Sequence, residues 1–150
     1  MMTIQFGSMT IAAVTILLSS LPVAAQTCTP LQAVGTNRTQ VQKSVSPPST
    51  GATRSNWNTD FAIPTGLGYR SYAVTVLPRN GGEYRVQAFL KYSNNTADKV
   101  FDRTVTLRDG QNLNLSGSPR LNADPYQVNV QVGGVRAVGN TYTVFASGCR

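Results

Sequence analysis

The sequence contains no histidine and only two cysteines among its 150 residues. Without histidine the commonest general base is missing, and so are all Ser–His and Cys–His nucleophile pairs. Zinc sites lose their usual nitrogen ligand, and two cysteines without CxxC spacing do not form a redox or metal pair. Charge is scarce at 13%, and only six residues are acidic. Those six never gather into a DxDxDG-like loop, so no calcium site is expected. Asp98, Asp102, Asp109 and Asp124 fall at turns or beside cations, where surface ion pairing accounts for them. No evident pair is left for a two-carboxylate hydrolase. The expectation is a protein with no catalytic residue, no metal and no cofactor.

Long apolar runs are also missing, with one exception. Residues 10–25 are apolar and helix-compatible until Pro22, and Val23-Ala24-Ala25 supplies the small side chains that signal peptidase inspects. Sixteen residues interrupted by proline fall short of the roughly 20 needed to span a bilayer, which argues against an anchor. Thr27 and Gln26 before Cys28 argue against lipoprotein processing. Residues 1–25 therefore read as a signal peptide, although residues 1–9 carry no Lys or Arg. Residues 26–150 read as one exported domain, secreted to the periplasm, cell surface or medium. Cys28 and Cys149 then lie at the two ends of that domain, and in an oxidising compartment they are expected to pair with each other.

What is present is alternation. In residues 83–92, Tyr84, Val86, Ala88, Leu90 and Tyr92 are apolar or aromatic, while Glu83, Arg85, Gln87 and Lys91 are polar or charged. Period two over ten residues is a strand with one buried face and one wet face. Phe89 is the exception on the wet face. Further strands are expected over 39–46, 56–63, 69–77, 99–107, 112–115, 126–132 and 141–147, with 29–38 irregular and 116–125 a loop. Trp57, Thr59, Phe61 and Ile63 share a face, as do Tyr126, Val128, Val130 and Val132. The even parity of the apolar sets in 69–77 and 83–92 predicts a hairpin with an odd-numbered loop, Val76 opposite Tyr84. Seven or eight short strands separated by turns are the signature of an all-β protein, a single antiparallel β-sandwich. The openings Gly82-Glu-Tyr-Arg-Val and Asp124-Pro-Tyr-Gln-Val resemble those of immunoglobulin-like and fibronectin III-like domains. That resemblance implies such a sandwich and assigns no function.

Thirteen Lys and Arg outnumber the acidic residues, for a net charge of +7, and none of these charged residues precedes residue 38. A basic domain favours polyanions. Arg85, Phe89 and Lys91 share the wet face of one strand, expected opposite Ser71, Ala73 and Thr75, and Arg79 in the turn between the two strands extends the patch. Cation plus aromatic on a flat sheet suits acidic polysaccharide or another surface polyanion, with Trp57 as a second aromatic contact. A structural or inhibitory role, binding another protein through the 116–125 loop with its Arg120-Leu121, is the alternative. Asn37, Asn94 and Asn114 open glycosylation sequons, which matter only in a eukaryotic host.

Overall fold

The computed structural model describes residues 25–150. Residues 1–24, and with them the signal segment apart from its last residue, lie outside the described residues. Ten strands follow: β1 (Cys28–Pro30), β2 (Gln32–Ala33), β3 (Gln40–Ser44), β4 (Asn58–Ala62), β5 (Ser71–Pro78), β6 (Gly82–Lys91), β7 (Ala97–Leu107), β8 (Leu113–Gly117), β9 (Gln127–Gly133) and β10 (Thr141–Cys149). β3 to β10 are the eight expected strands. β1 and β2 occupy the stretch expected to be irregular, and a single 3-10 turn, Val135–Ala137, precedes β10.

The strands form two antiparallel five-stranded sheets, the β-sandwich that the alternation implies. In one sheet the order is β1-β10-β5-β8, and β3 pairs with the same edge of β10 further along; in the other it is β2-β4-β9-β6-β7. The arm therefore alternates between sheets, β1 and β3 on one and β2 on the other, and so closes that side of the sandwich. Cys28 lies opposite Cys149 in the β1–β10 ladder and is bonded to it, so the expected disulfide is present.

Inward residues of the two sheets interdigitate. Tyr84, Val86, Ala88 and Leu90 of β6, Val128, Val130 and Val132 of β9 and Phe61 of β4 face Tyr72, Val74 and Val76 of β5 and Tyr142, Val144 and Ala146 of β10, all buried. Removing a large side chain from such a layer costs about 3–5 kcal/mol.

The hairpin expected between β5 and β6 does not form. β5 pairs with β10 and β8, and β6 with β7 and β9. Residues 79–81 arch from one sheet to the other, held by the Arg79 amide on the Thr141 carbonyl, Asn80 Oδ1 on the Thr141 amide, and the Gly81 amide donating to Asp109. Parity cannot separate the two solutions. Even-numbered residues share an interior whether the strands lie side by side or face each other across a core. Ser71, Ala73 and Thr75 therefore lie on the other sheet from Arg85, not beside it.

Candidate functional site

β6 and β9 are the central strands of their sheet, and their outward residues meet in rows. Asp60 of β4, Asn129 of β9, Phe89 of β6 and Lys99 of β7 form one row. The next row is Asn58, Gln131, Gln87 and Asp102; on the other side lie Ala62, Gln127, Lys91 and Ala97. Gly133, Arg85 and Thr104 form the row beyond Gln131. The outward alternation Gln127-x-Asn129-x-Gln131 is thus a rank of amides down the middle of the sheet, between charged residues on its neighbours.

These groups are mutually engaged. Asn129 is only 2% exposed although it lies on the outer face. Its Nδ2 donates to Asn58 Oδ1 (3.0 Å) and Asp60 Oδ1 (2.7 Å), and Lys91 Nζ lies 3.2 Å from the same Asp60 oxygen. Arg85 and Lys99 both pair with Asp102, at 2.7 and 2.8 Å. The Asp102 carboxyl is held below its ordinary range, first by the Lys99 hydrogen bond and then by Gln87 and Arg85, with partial desolvation opposing them. Asp98 is lowered chiefly by its hydrogen bonds from Arg120, at 2.9 and 2.6 Å.

A carboxyl whose folded-state pKa is depressed contributes stability above its unfolded pKa, near 3.9, and loses it as pH falls through the lower folded value. The melting temperature is expected to drop in acid below about pH 4, and the double variant Asp98→Asn, Asp102→Asn should show a shallower drop. Parallel curves for parent and variant in calorimetry would contradict this.

Two aromatic rings mark the face. Phe89 is half-buried, neither bare nor covered, with Lys99 Nζ 6.0 Å from its centroid. Trp57 is only half-buried and packs against the margin of the core instead of joining Thr59, Phe61 and Ile63 inside it. Its indole rests on Gly133, where an added Cβ would lie 2.2 Å from Cδ2, and its Nε1 donates to the Ser46 carbonyl at 2.8 Å. With Arg85, Thr104, Glu83 and Arg136 it lines a hollow of about 360 Å³ at one end of the face. From the Gly133 row to the Asn129 row is four residues, or about 13 Å along the strands at roughly 3.3 Å per residue.

The structure thus places Arg85, Phe89 and Lys91 on one outer face, with both cations already ion-paired. Arg79 is exposed on the arch between the sheets and makes no part of these rows. Asn58, Asp60, Gln87, Asp102, Asn129 and Gln131 were not identified from sequence. The Gln-x-Asn-x-Gln alternation was visible, but the pairing of β9 with β6 was not.

No protein-family model and no curated protein matches the chain. Among solved structures it is similar to the C-terminal family 22 carbohydrate binding module of Clostridium thermocellum Xyn10B, at 16% identity over 77% of this chain and 87% of that one, TM-score 0.39. It is also similar to a xylan-binding domain from CBM 22 at 13% identity over 77% and 88%, TM-score 0.38, and to the CBM22-1 xylan-binding domain of Paenibacillus barcinonensis Xyn10C at 8% over 77% and 87%, TM-score 0.36. Likeness at this level bears on neither ligand nor activity.

Proposed function

We propose that the protein is an exported, non-catalytic glycan-binding sandwich whose ligand lies along the outer face of the β2-β4-β9-β6-β7 sheet. One observation carries this reading: Trp57 and Phe89 stand about 13 Å apart along an open sheet, with a rank of side-chain amides between them. Aromatic faces bury the apolar side of a sugar ring, while amides and carboxylates exchange hydrogen bonds with its hydroxyls. The network among Lys91, Asp60, Asn129 and Asn58 holds those groups in place before binding, which lowers the ordering cost. Export is supported by the disulfide.

Arg85 and Lys91 present donors from within ion pairs rather than free charge. The geometry therefore favours a hydroxyl-rich chain over a dense polyanion. Acidic polysaccharide gains only the long-range attraction of the +7 domain, which salt screens. Affinity electrophoresis against a neutral β-linked polysaccharide and a polyuronate separates the two. Retardation by the neutral chain, persisting in added salt, is expected. Retardation by the polyuronate alone, abolished by salt, would contradict the reading.

A protein partner is the second reading, and one observation favours it. Leu121 is 100% exposed at the tip of a turn closed by the Arg120–Ala123 bridge and the Arg120–Asp98 pair. Leu121→Ser should leave glycan retardation unchanged.

A further inference from the structure

We propose that a second, separate site at one end of the sandwich, walled by Tyr69, Tyr72 and Tyr126 and carrying Asp124, binds an organic ammonium group. The cavity, about 200 Å³, lies between the glycine-containing link from β4 to β5 and the segment that leads into β9. Ile63 and Leu67 complete its apolar wall, and no Lys or Arg lines it.

Asp124 is set apart from the other carboxylates. Asp60 pairs with Lys91, Glu83 with Arg136, Asp98 with Arg120, and Asp102 with Arg85 and Lys99. Asp109 accepts from the Gly81 amide. Among the described Asp and Glu side chains Asp124 alone has neither a salt bridge nor a hydrogen bond, although Arg70 and Arg120 line the adjoining hollow that it shares. Its charge is nevertheless felt in the cavity. The Tyr72 phenol is pushed up to about 12, first by burial and then by Asp124, so it stays neutral. Asp124 is the only acidic side chain among those lining the cavity.

The rings are fixed in place. Tyr126 is held on both sides of its peptide, its amide donating to the Lys91 carbonyl and its carbonyl accepting from the Ile63 amide, both at 2.9 Å. The residue stays 47% exposed, and the strand expected to bury it begins only at Gln127. Tyr69 and Tyr72 meet edge to face at 5.9 Å. The Arg150 guanidinium, 5.5 Å from the Tyr69 centroid, already occupies that ring, and Tyr72 is buried in the core, so Tyr126 is the ring left open to a ligand. Aromatic faces carry negative quadrupole charge and hold ammonium groups within about 6 Å, more strongly when an anion stands beside them. The volume lies below the roughly 300 Å³ at which drug-sized pockets begin, so it suits one small head group.

The test is an NMR titration of the protein with tetramethylammonium, glucosamine and glucose in turn. Saturable shifts at Leu67 and Tyr126 are expected with an ammonium compound and not with glucose. Asp124→Asn should weaken that binding by about tenfold or more while leaving retardation by polysaccharide unchanged. Tetramethylammonium alone would identify a quaternary head group as the source, and glucosamine alone an amino sugar. The proposal is overturned if neither ammonium compound gives saturable shifts, if glucose matches them, or if Asp124→Asn binds as tightly as the parent. None of these outcomes touches the sheet-face reading, which uses different residues.

Discussion

Replacing Cys28 and Cys149 together by alanine is expected to lower the unfolding free energy by about 4 kcal/mol, within the 2–5 typical for a native bridge. The bond closes a loop of sequence separation 121, nearly the whole described domain. In the chain-entropy account a loop of about 100 residues is worth about 4.7 kcal/mol, mostly through the unfolded chain. The folded state loses something as well. β1 has only three residues and pairs only with β10, at Cys28–Cys149, Thr29–Gly148 and Pro30–Ser147. Once cut free it would fray, and Leu31, buried behind it and hydrogen-bonded to the Ala146 carbonyl, would lose its cover. Urea unfolding of oxidised protein and double variant measures the difference directly. An unchanged midpoint with an unchanged slope would show that the arm is not stapled in solution.

The second large effect concerns the ligand. Trp57→Ala combined with Phe89→Ala is expected to lower glycan affinity about a thousandfold, taking about 2 kcal/mol for each aromatic anchor and additivity between sites more than about 10 Å apart. Phe89→Ala is the cleaner single change. Phe89 is outside the core and its loss leaves the Lys99–Asp102 pair intact. Trp57 also seats on Gly133 and bonds Ser46, so its variant needs a melting curve beside the binding isotherm. A double variant that binds within about threefold of the parent, with its melting temperature held, would remove the aromatic platforms from the account.

How far the sequence reaches can be seen residue by residue. Tyr84, Val86, Ala88, Leu90 and Tyr92 were legible as a buried row because burial on one face of a strand imposes period two. Their sheet partners were not, because facing strands and neighbouring strands obey the same parity. The arch at 79–81 was decided by hydrogen bonds to Thr141 and Asp109, residues distant in sequence. Counting twos from Phe61 put Trp57 on one face with Thr59 and Ile63. The regular strand begins only at Asn58, and the indole takes the space that Gly133 leaves open. Gly117 and Gly148 are filled in the same way by Val100 and Tyr69. At Val100 the register of β6 and β7 shifts, and the extra residue turns toward Gly117. A glycine that seats a distant side chain leaves no local pattern.

The candidate site was half legible for the same reason. Arg85, Phe89 and Lys91 belong to one strand and could be grouped by alternation alone. Asp60, Asp102 and Asn129, which turn a cationic patch into a paired network, come from three other strands. Arg79 was added for its nearness in sequence, and the arch carries it off the face.

The central claim is that this face holds the glycan. Its most direct test is a titration of the isotope-labelled protein with an oligosaccharide of the polysaccharide that retards it, read at the side chains. The account predicts saturable shifts at the Trp57 indole Nε1–H, the Phe89 ring and the amides of Gln87, Asn129 and Gln131, with the opposite sheet face at Thr75, Thr143 and Phe145 unmoved. Shifts confined to that opposite face, or to the turn around Leu121, would contradict it.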